Sequence, residues 1–318
     1  AGEAHIADGR AQVQLNGRTI AGEGLAGGDQ LALVLDAVPE ENQLDIRLDL
    51  NAPGNGVIAA LAGLTDPLRV QVNGNGTWQS WNGRLNANLA GTEFARLQVA
   101  ARDGTFALRG PTRVARLFEG PTAQLLGPVL NIDMQAALED RRATLAGNVN
   151  SDAFRLNTNG VVDLSDNSFD DMRLGFVLFR PSALAENLAG SGIRAQLVLD
   201  GAFATPAVQY AINANRLMMN DMGIENLAAT GAARVDADQI LIPVDARATR
   251  IVGLDTVAGG TLRDVRLNGD LAIDGARILS DNMRIRSDRI DANLILLADM
   301  STGLYTGAVD GRIDRYRI

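Results

Sequence analysis

Apolar and polar residues alternate with a period of two along most of the chain. Leu44, Ile46, Leu48 and Leu50 alternate with Gln43, Asp45, Arg47 and Asp49, and Leu68, Val70 and Val72 with Arg69, Gln71 and Asn73. The pattern returns at Ile193, Ala195, Leu197 and Leu199, where Val198 interrupts the polar side. Further on, Val265, Leu267, Leu271 and Ile273 alternate with Arg266, Asn268 and Asp270, then Met283 and Ile285 with Arg284 and Arg286. Successive side chains of a strand point to opposite faces, so each run predicts a strand with one apolar and one solvated face. Parallel strands buried on both sides would read as continuous apolar runs. The pattern predicts a mainly β, antiparallel, one-sided sheet.

Turn chemistry points the same way. Asn-Gly occurs seven times, beginning at Asn16, Asn55, Asn73, Asn75, Asn82, Asn159 and Asn268, and Asp-Gly five times, at Asp8, Asp103, Asp200, Asp274 and Asp310. These pairs tolerate the positive φ of tight hairpins and predict many short reversals. Three stretches carry helical spacing instead: Val57–Leu64, a segment within Pro111–Leu126 with Pro111 and Pro121 as first-turn residues, and Pro181–Leu188 closed by Gly190 as a C-cap. The first and third both end in Leu-Ala-Gly and precede an alternating strand, a faint internal repeat. The chain otherwise reads as one continuous segment over residues 1–318, with a sub-boundary or helical insert at 110–128.

Composition narrows the functional classes. The 318 residues are 46% hydrophobic, enough to bury a core and exclude general disorder. The net charge is −9 and every basic residue is Arg, so the balance argues against a nucleic-acid partner. With no Cys there is no disulfide, thiolate metal site or Cys nucleophile, and the single His5 leaves no multi-His zinc site. The longest apolar run, Val57–Ala62, is far too short to cross a membrane as a helix. The start at Ala1-Gly2-Glu3-Ala4 carries no signal core, and Ile313–Ile318 still alternates, so the chain reads as a piece of a longer one.

No constellation reads as catalytic, and no cofactor or metal is expected. Asp163, Asp166, Asp170 and Asp171 lack the ordered spacing of a calcium loop and read as a solvated loop. Gly27-Gly28-Asp29 and Gly259-Gly260 open no strand-to-helix phosphate cradle. Trp78 and Trp81 read as packing anchors. The apolar face itself remains. It is either the core of a sandwich or barrel, covered by a second sheet, or the lining of a groove for apolar ligands, and alternation suits both.

Particular segments add to this. Pro67-Leu-Arg-Val-Gln-Val-Asn-Gly-Asn-Gly76, Trp81-Asn-Gly-Arg-Leu85 and Leu89-Ala-Gly91 resemble the TamB family of AsmA-like proteins. So do Arg180-Pro-Ser-Ala-Leu184, Leu199-Asp-Gly-Ala-Phe203, Pro206-Ala-Val-Gln-Tyr210, Gly231-Ala-Ala-Arg-Val-Asp-Ala-Asp238, Leu267-Asn-Gly-Asp-Leu-Ala-Ile-Asp274 and Ser287-Asp-Arg-Ile290. These are diffuse structural patterns spread from Leu44 to Ile318, with no catalytic signature. The resemblance implies an elongated, curled antiparallel β-groove with a hydrophobic concave face and a few short helices. It implies a periplasmic location within an inner-membrane-anchored protein of a translocation and assembly module. The partners it implies are phospholipid acyl chains moving between the membranes and an outer-membrane barrel of the TamA type.

On that reading the groove is lined by Leu44, Ile46, Leu48, Leu50, Leu68, Val70, Val72, Ile193, Leu197, Leu199, Val265, Leu267, Leu271 and Ile273. Two other classes stay open: a scaffold that pairs with β-barrel precursors through a strand edge, and a secreted β-solenoid that binds or cleaves polysaccharide. Thirteen aromatic residues in 318 suit sugar platforms poorly.

Overall fold

A computed structural model describes residues 2–7, 10–20, 27–54, 56–61, 63–236, 239–254, 260–299 and 304–313. The described strands belong to one open antiparallel sheet of 21 strands, with only two short α-helices and three 3-10 turns among the described residues. No helix there is long and apolar enough to cross a membrane. The chain divides into two compact units, one over Ala1–Glu139 and Ala146–Ser151, the other over Asp140–Leu145 and Asp152–Ile318.

The first unit is a meander. Strands β1 (Gly2–Ala7), β2 (Arg10–Arg18), β3 (Gln30–Val38), β4 (Gln43–Ala52), β5 (Leu68–Gly76), β6 (Ser80–Leu89), β7 (Thr92–Arg102), β8 (Thr105–Thr112) and β9 (Leu130–Glu139) each pair with the next. Helix α1 (Val57–Leu61) lies between β4 and β5, and a 3-10 turn (Val114–Leu117) with α2 (Gly120–Leu126) lies between β8 and β9. Pro121 does occupy the first turn of α2, whereas Pro111 is part of β8. A Pro at the start of a helix loses no bond, because the first N–H groups have no partner anyway.

In the second unit, β11 (Phe154–Asp163) pairs with β12 (Ser168–Leu178), and β12 with β14 (Ile193–Ala202). The short β13 (Leu188–Ser191) pairs instead with β15 (Ala207–Met219), extending the edge that β14 offers to β15. Then β16 (Met222–Val235), β17 (Ile240–Val252), β18 (Thr261–Asp274), β19 (Arg277–Arg286), β20 (Ile290–Asp299) and β21 (Leu304–Ile313) follow in sequence order. Strand β10 (Arg142–Asn150) has its first residues in this unit and the rest in the first.

Two expectations are corrected. The Pro181–Leu188 stretch is no helix: a 3-10 turn covers Pro181–Ala183, and Gly190 sits inside β13 where a Cβ would collide with the Arg216 carbonyl. Edge pairing of Leu188–Ser191 with Arg216–Met219 supplies backbone bonds that a two-turn helix could not. Of the Leu-Ala-Gly repeat, Leu61 ends α1 whereas Leu188 begins β13, and Ala62 lies outside the described residues.

Most Asn-Gly pairs are likewise not turns. Those at Asn16, Asn73, Asn75, Asn82, Asn159 and Asn268 lie within β2, β5, β6, β11 and β18. Asp103-Gly104 does form a reversal with φ of 47° and 77°, as does Ala90-Gly91 at 49° and 76°. Asp8-Gly9, Asn55 and residues 314–318 lie outside the described residues.

Candidate functional site

Register fixes which side chains share a face. In the first unit Leu33, Leu48, Val72, Leu85 and Leu97 form one row across β3 to β7. Leu31, Leu50, Val70, Ala87 and Ala95 form the next, and Leu35 and Ile46 continue on the other side through Gly74 and Gly83 to Val99, Leu108 and Met134. Leu44, Ile46, Leu48, Leu50, Leu68, Val70 and Val72 therefore all lie on one face. Leu44 is buried and the other six are partly buried.

The second unit repeats the arrangement. A row runs Leu156, Phe176, Ala195, Ile212, Ala229, Ala246, Leu267, Ile285, Ala292 across β11, β12 and β14 to β20. Ile193, Leu197 and Leu199 flank it on β14, and Val265, Leu271 and Ile273 on β18. Val265 is buried, and the other six candidates of this unit are partly buried. Among the described residues, register thus brings the candidates together into two same-face sets, seven per unit.

Glycines on these faces make room for aromatics. Trp81, 7% exposed, lies over Gly74 and Gly83, and a Cβ on either glycine would overlap the indole. It packs with Ala37 and Leu44, with Leu35, Ile46 and Val72 around them. Its Nε1–H is buried with no hydrogen-bond partner. Trp78, by contrast, is 56% exposed, so only one of the two tryptophans anchors packing. Tyr210 uses the same device over Gly231, and its hydroxyl donates to the Pro243 carbonyl at 2.6 Å. Burial, with the Asp245 charge adding to it, pushes the Tyr210 phenol above the ordinary range.

Two depressions gather mostly polar side chains. One of about 1060 Å³ in the first unit is lined by Asp45, Arg47, Asn73, Arg84, Gln98 and Arg109 among others. None of the seven first-unit candidates lines it. One of about 480 Å³ in the second unit is lined by Asn213, Asn215, Asn226, Arg247, Thr249 and Arg266 among others; of the candidates only Val265, itself buried, borders it.

The acidic stretch is no solvated loop: Asp163 ends β11 and is buried, Asp170 and Asp171 lie in β12, and only Asp166 falls in the turn between them. Asp163 Oδ1 accepts the N–H of Ser165 at 2.8 Å and of Asp166 at 3.2 Å, which lowers its pKa against a smaller effect of burial. Arg142 reaches both Asp163 and Asp170, and Arg173 pairs with Asp171. No group of three metal-ligating side chains comes together among the described residues. His5 lies exposed on β1 opposite Gln12.

Pattern reasoning missed Asp29, which is 2% exposed and joins the Thr19 region to α1. Burial pushes its carboxyl up. Hydrogen bonds from the Thr19 hydroxyl and from the N–H groups of Val57 and Ile58 more than offset this and hold it below the ordinary carboxylate range. Asp in a Gly-rich loop followed by a strand carries no local signal of that role.

No family model matches the chain, and neither does any curated protein or solved structure.

Proposed function

We propose that the apolar face is a non-enzymatic carrier surface for phospholipid acyl chains, in a TamB-like periplasmic protein that moves lipid between the inner and outer membranes. One observation carries the reading: row after row of aliphatic side chains on one face, most of them left partly exposed. A dry core would bury them. An acyl chain laid on such a face gains about 0.8 kcal/mol for each CH₂ taken from water and asks for no polar contact. The segments that resemble the TamB family support the same reading. An inner-membrane anchor and an outer-membrane barrel partner of the TamA type belong to this proposal.

Native mass spectrometry and lipid extraction on the purified chain test it. Phospholipid should co-purify, and Val70→Asp with Leu197→Asp should remove it while circular dichroism stays β-rich. A lipid-free protein, or variants that unfold outright, would mean that the apolar face is a closed core.

A second reading rests on β21. It pairs with β20 alone among the described residues, and all ten of its residues are exposed, including Leu304, Tyr305 and Val309. Such an edge could add a strand from a β-barrel precursor. Capture of an unfolded barrel protein that is lost on Val309→Pro, with lipid content unchanged, would favour this reading over lipid carriage.

A further inference from the structure

The polar face of the second unit carries a charge pattern that the lipid reading does not use. Register sets Arg247 on β17 opposite Arg266 on β18, and Arg266 opposite Arg286 on β19. Neighbouring strands lie about 4.8 Å apart, so three guanidinium stems rise from a width of roughly 10 Å. Like charges directly opposite one another destabilise a sheet. Natural sheets place opposite charges at such positions, as this one does at Arg109–Asp133.

Three of the four carboxylates around the row are engaged elsewhere. Asp291, opposite Arg286 on β20, is taken in a fork by Arg284 at 2.8 and 2.9 Å and meets Arg286 only at 3.8 Å. Asp245, two residues from Arg247, accepts the Asn268 amide at 3.1 Å. Glu225 meets Arg250 at 3.5 Å, and Asp264 flanks Arg266 along β18. Arg247 and Arg266 make no ion pair among the described residues. Both line the 480 Å³ depression, where Asn213, Asn215 and Thr249 add further polar groups and Asp264 adds one carboxylate.

We propose that this row binds a free linear oligophosphate. Adjacent phosphates match adjacent guanidinium forks in spacing and in bidentate geometry, and the amides of Asn213 and Asn215 supply further donors. The patch is only three strands wide on a chain with a net charge of −9, which suits a small polyanion better than a broad anionic surface.

Isothermal titration of the purified chain with sodium tripolyphosphate, at low and at physiological salt, tests the proposal. Saturable binding is expected, weaker at the higher salt. Loss of a charge-assisted contact should cost about tenfold in affinity for Arg266→Gln and more for Arg247→Gln with Arg266→Gln. Arg84→Gln, an equal change of charge on the polar face of the first unit, should leave affinity unchanged. A second readout needs no ligand: relief of repulsion should raise the thermal midpoint of Arg266→Gln at low salt, and tripolyphosphate should then stabilise the wild type and not the variant. The proposal is overturned if the wild type ignores tripolyphosphate, if Arg84→Gln weakens binding equally, if only vesicles of anionic lipid bind, or if Arg266→Gln lowers the midpoint without ligand.

Discussion

The Asp29 carboxylate accepts the backbone N–H of Val57 at 2.9 Å, so a residue 28 positions upstream caps α1. Ile58 N–H reaches the other oxygen at 3.4 Å, and Thr19 closes the arrangement by donating its hydroxyl at 2.5 Å and accepting the Asp29 N–H at 2.9 Å. The first N–H groups of a helix have no partner inside it, and a helix of five residues cannot persist on its own. One carboxylate thus ties Thr19, just past β2, to the start of α1.

Removing that carboxylate should cost stability. Asp29→Ala leaves buried donors unsatisfied and is expected to destabilise the first unit by about 1–3 kcal/mol in urea unfolding. The folded carboxyl titrates below its unfolded value, so its contribution is present above about pH 4 and is lost as pH falls through the folded value. Asp29→Asn should flatten that part of the acid limb. An unchanged limb would mean that the Asp29 carboxyl titrates alike in both states.

Trp81 separates packing from hydrogen bonding. Trp81→Ala should cost about 3–5 kcal/mol, since it empties the space among Ala37, Leu44 and Val72. Trp81→Phe keeps most of the ring and removes the orphan Nε1–H, so its cost should be much smaller. Gly83→Ala pushes a methyl into the indole and should destabilise by about 1–3 kcal/mol. Combined with Trp81→Ala, that cost should shrink, and a denaturant double-mutant cycle reads the difference. Additive costs would mean that Trp81 and Gly83 do not touch.

Ala90 holds a left-handed conformation at φ 49°, where its Cβ is strained. Ala90→Asn should therefore stabilise by about 0.5–1 kcal/mol, visible as a raised midpoint in thermal unfolding. A lower midpoint would show that Ala90 packs rather than turns.

Strand positions were legible because one alternating run writes one strand: Leu44 to Leu50 and Leu68 to Val72 do lie on one face, as their periodicity requires. The Asn-Gly pairs misled because glycine has two uses in a sheet. It can turn the chain, as Gly104 does, or leave room for a ring, as Gly74 and Gly83 do for Trp81. Local sequence does not distinguish them when the ring sits on a neighbouring strand, as it does for Gly74. The arginine row was invisible for a related reason: Arg247, Arg266 and Arg286 are 19 and 20 positions apart and become neighbours only once register is known. Nothing in the alternation says whether the apolar face is covered.

From β15 to β20 every strand of the second unit leans on the strand before it and the strand after it in sequence. Stability in such a series is close to a chain of nearest-neighbour couplings, and loop closure costs little at each step. Opening therefore starts where, among the described residues, a strand has a single neighbour, as β21 does. Amide exchange should be fastest in β21, slower in β20 and slowest several hairpins inward, so the unit behaves less like one cooperative block than like a zip with a loose end.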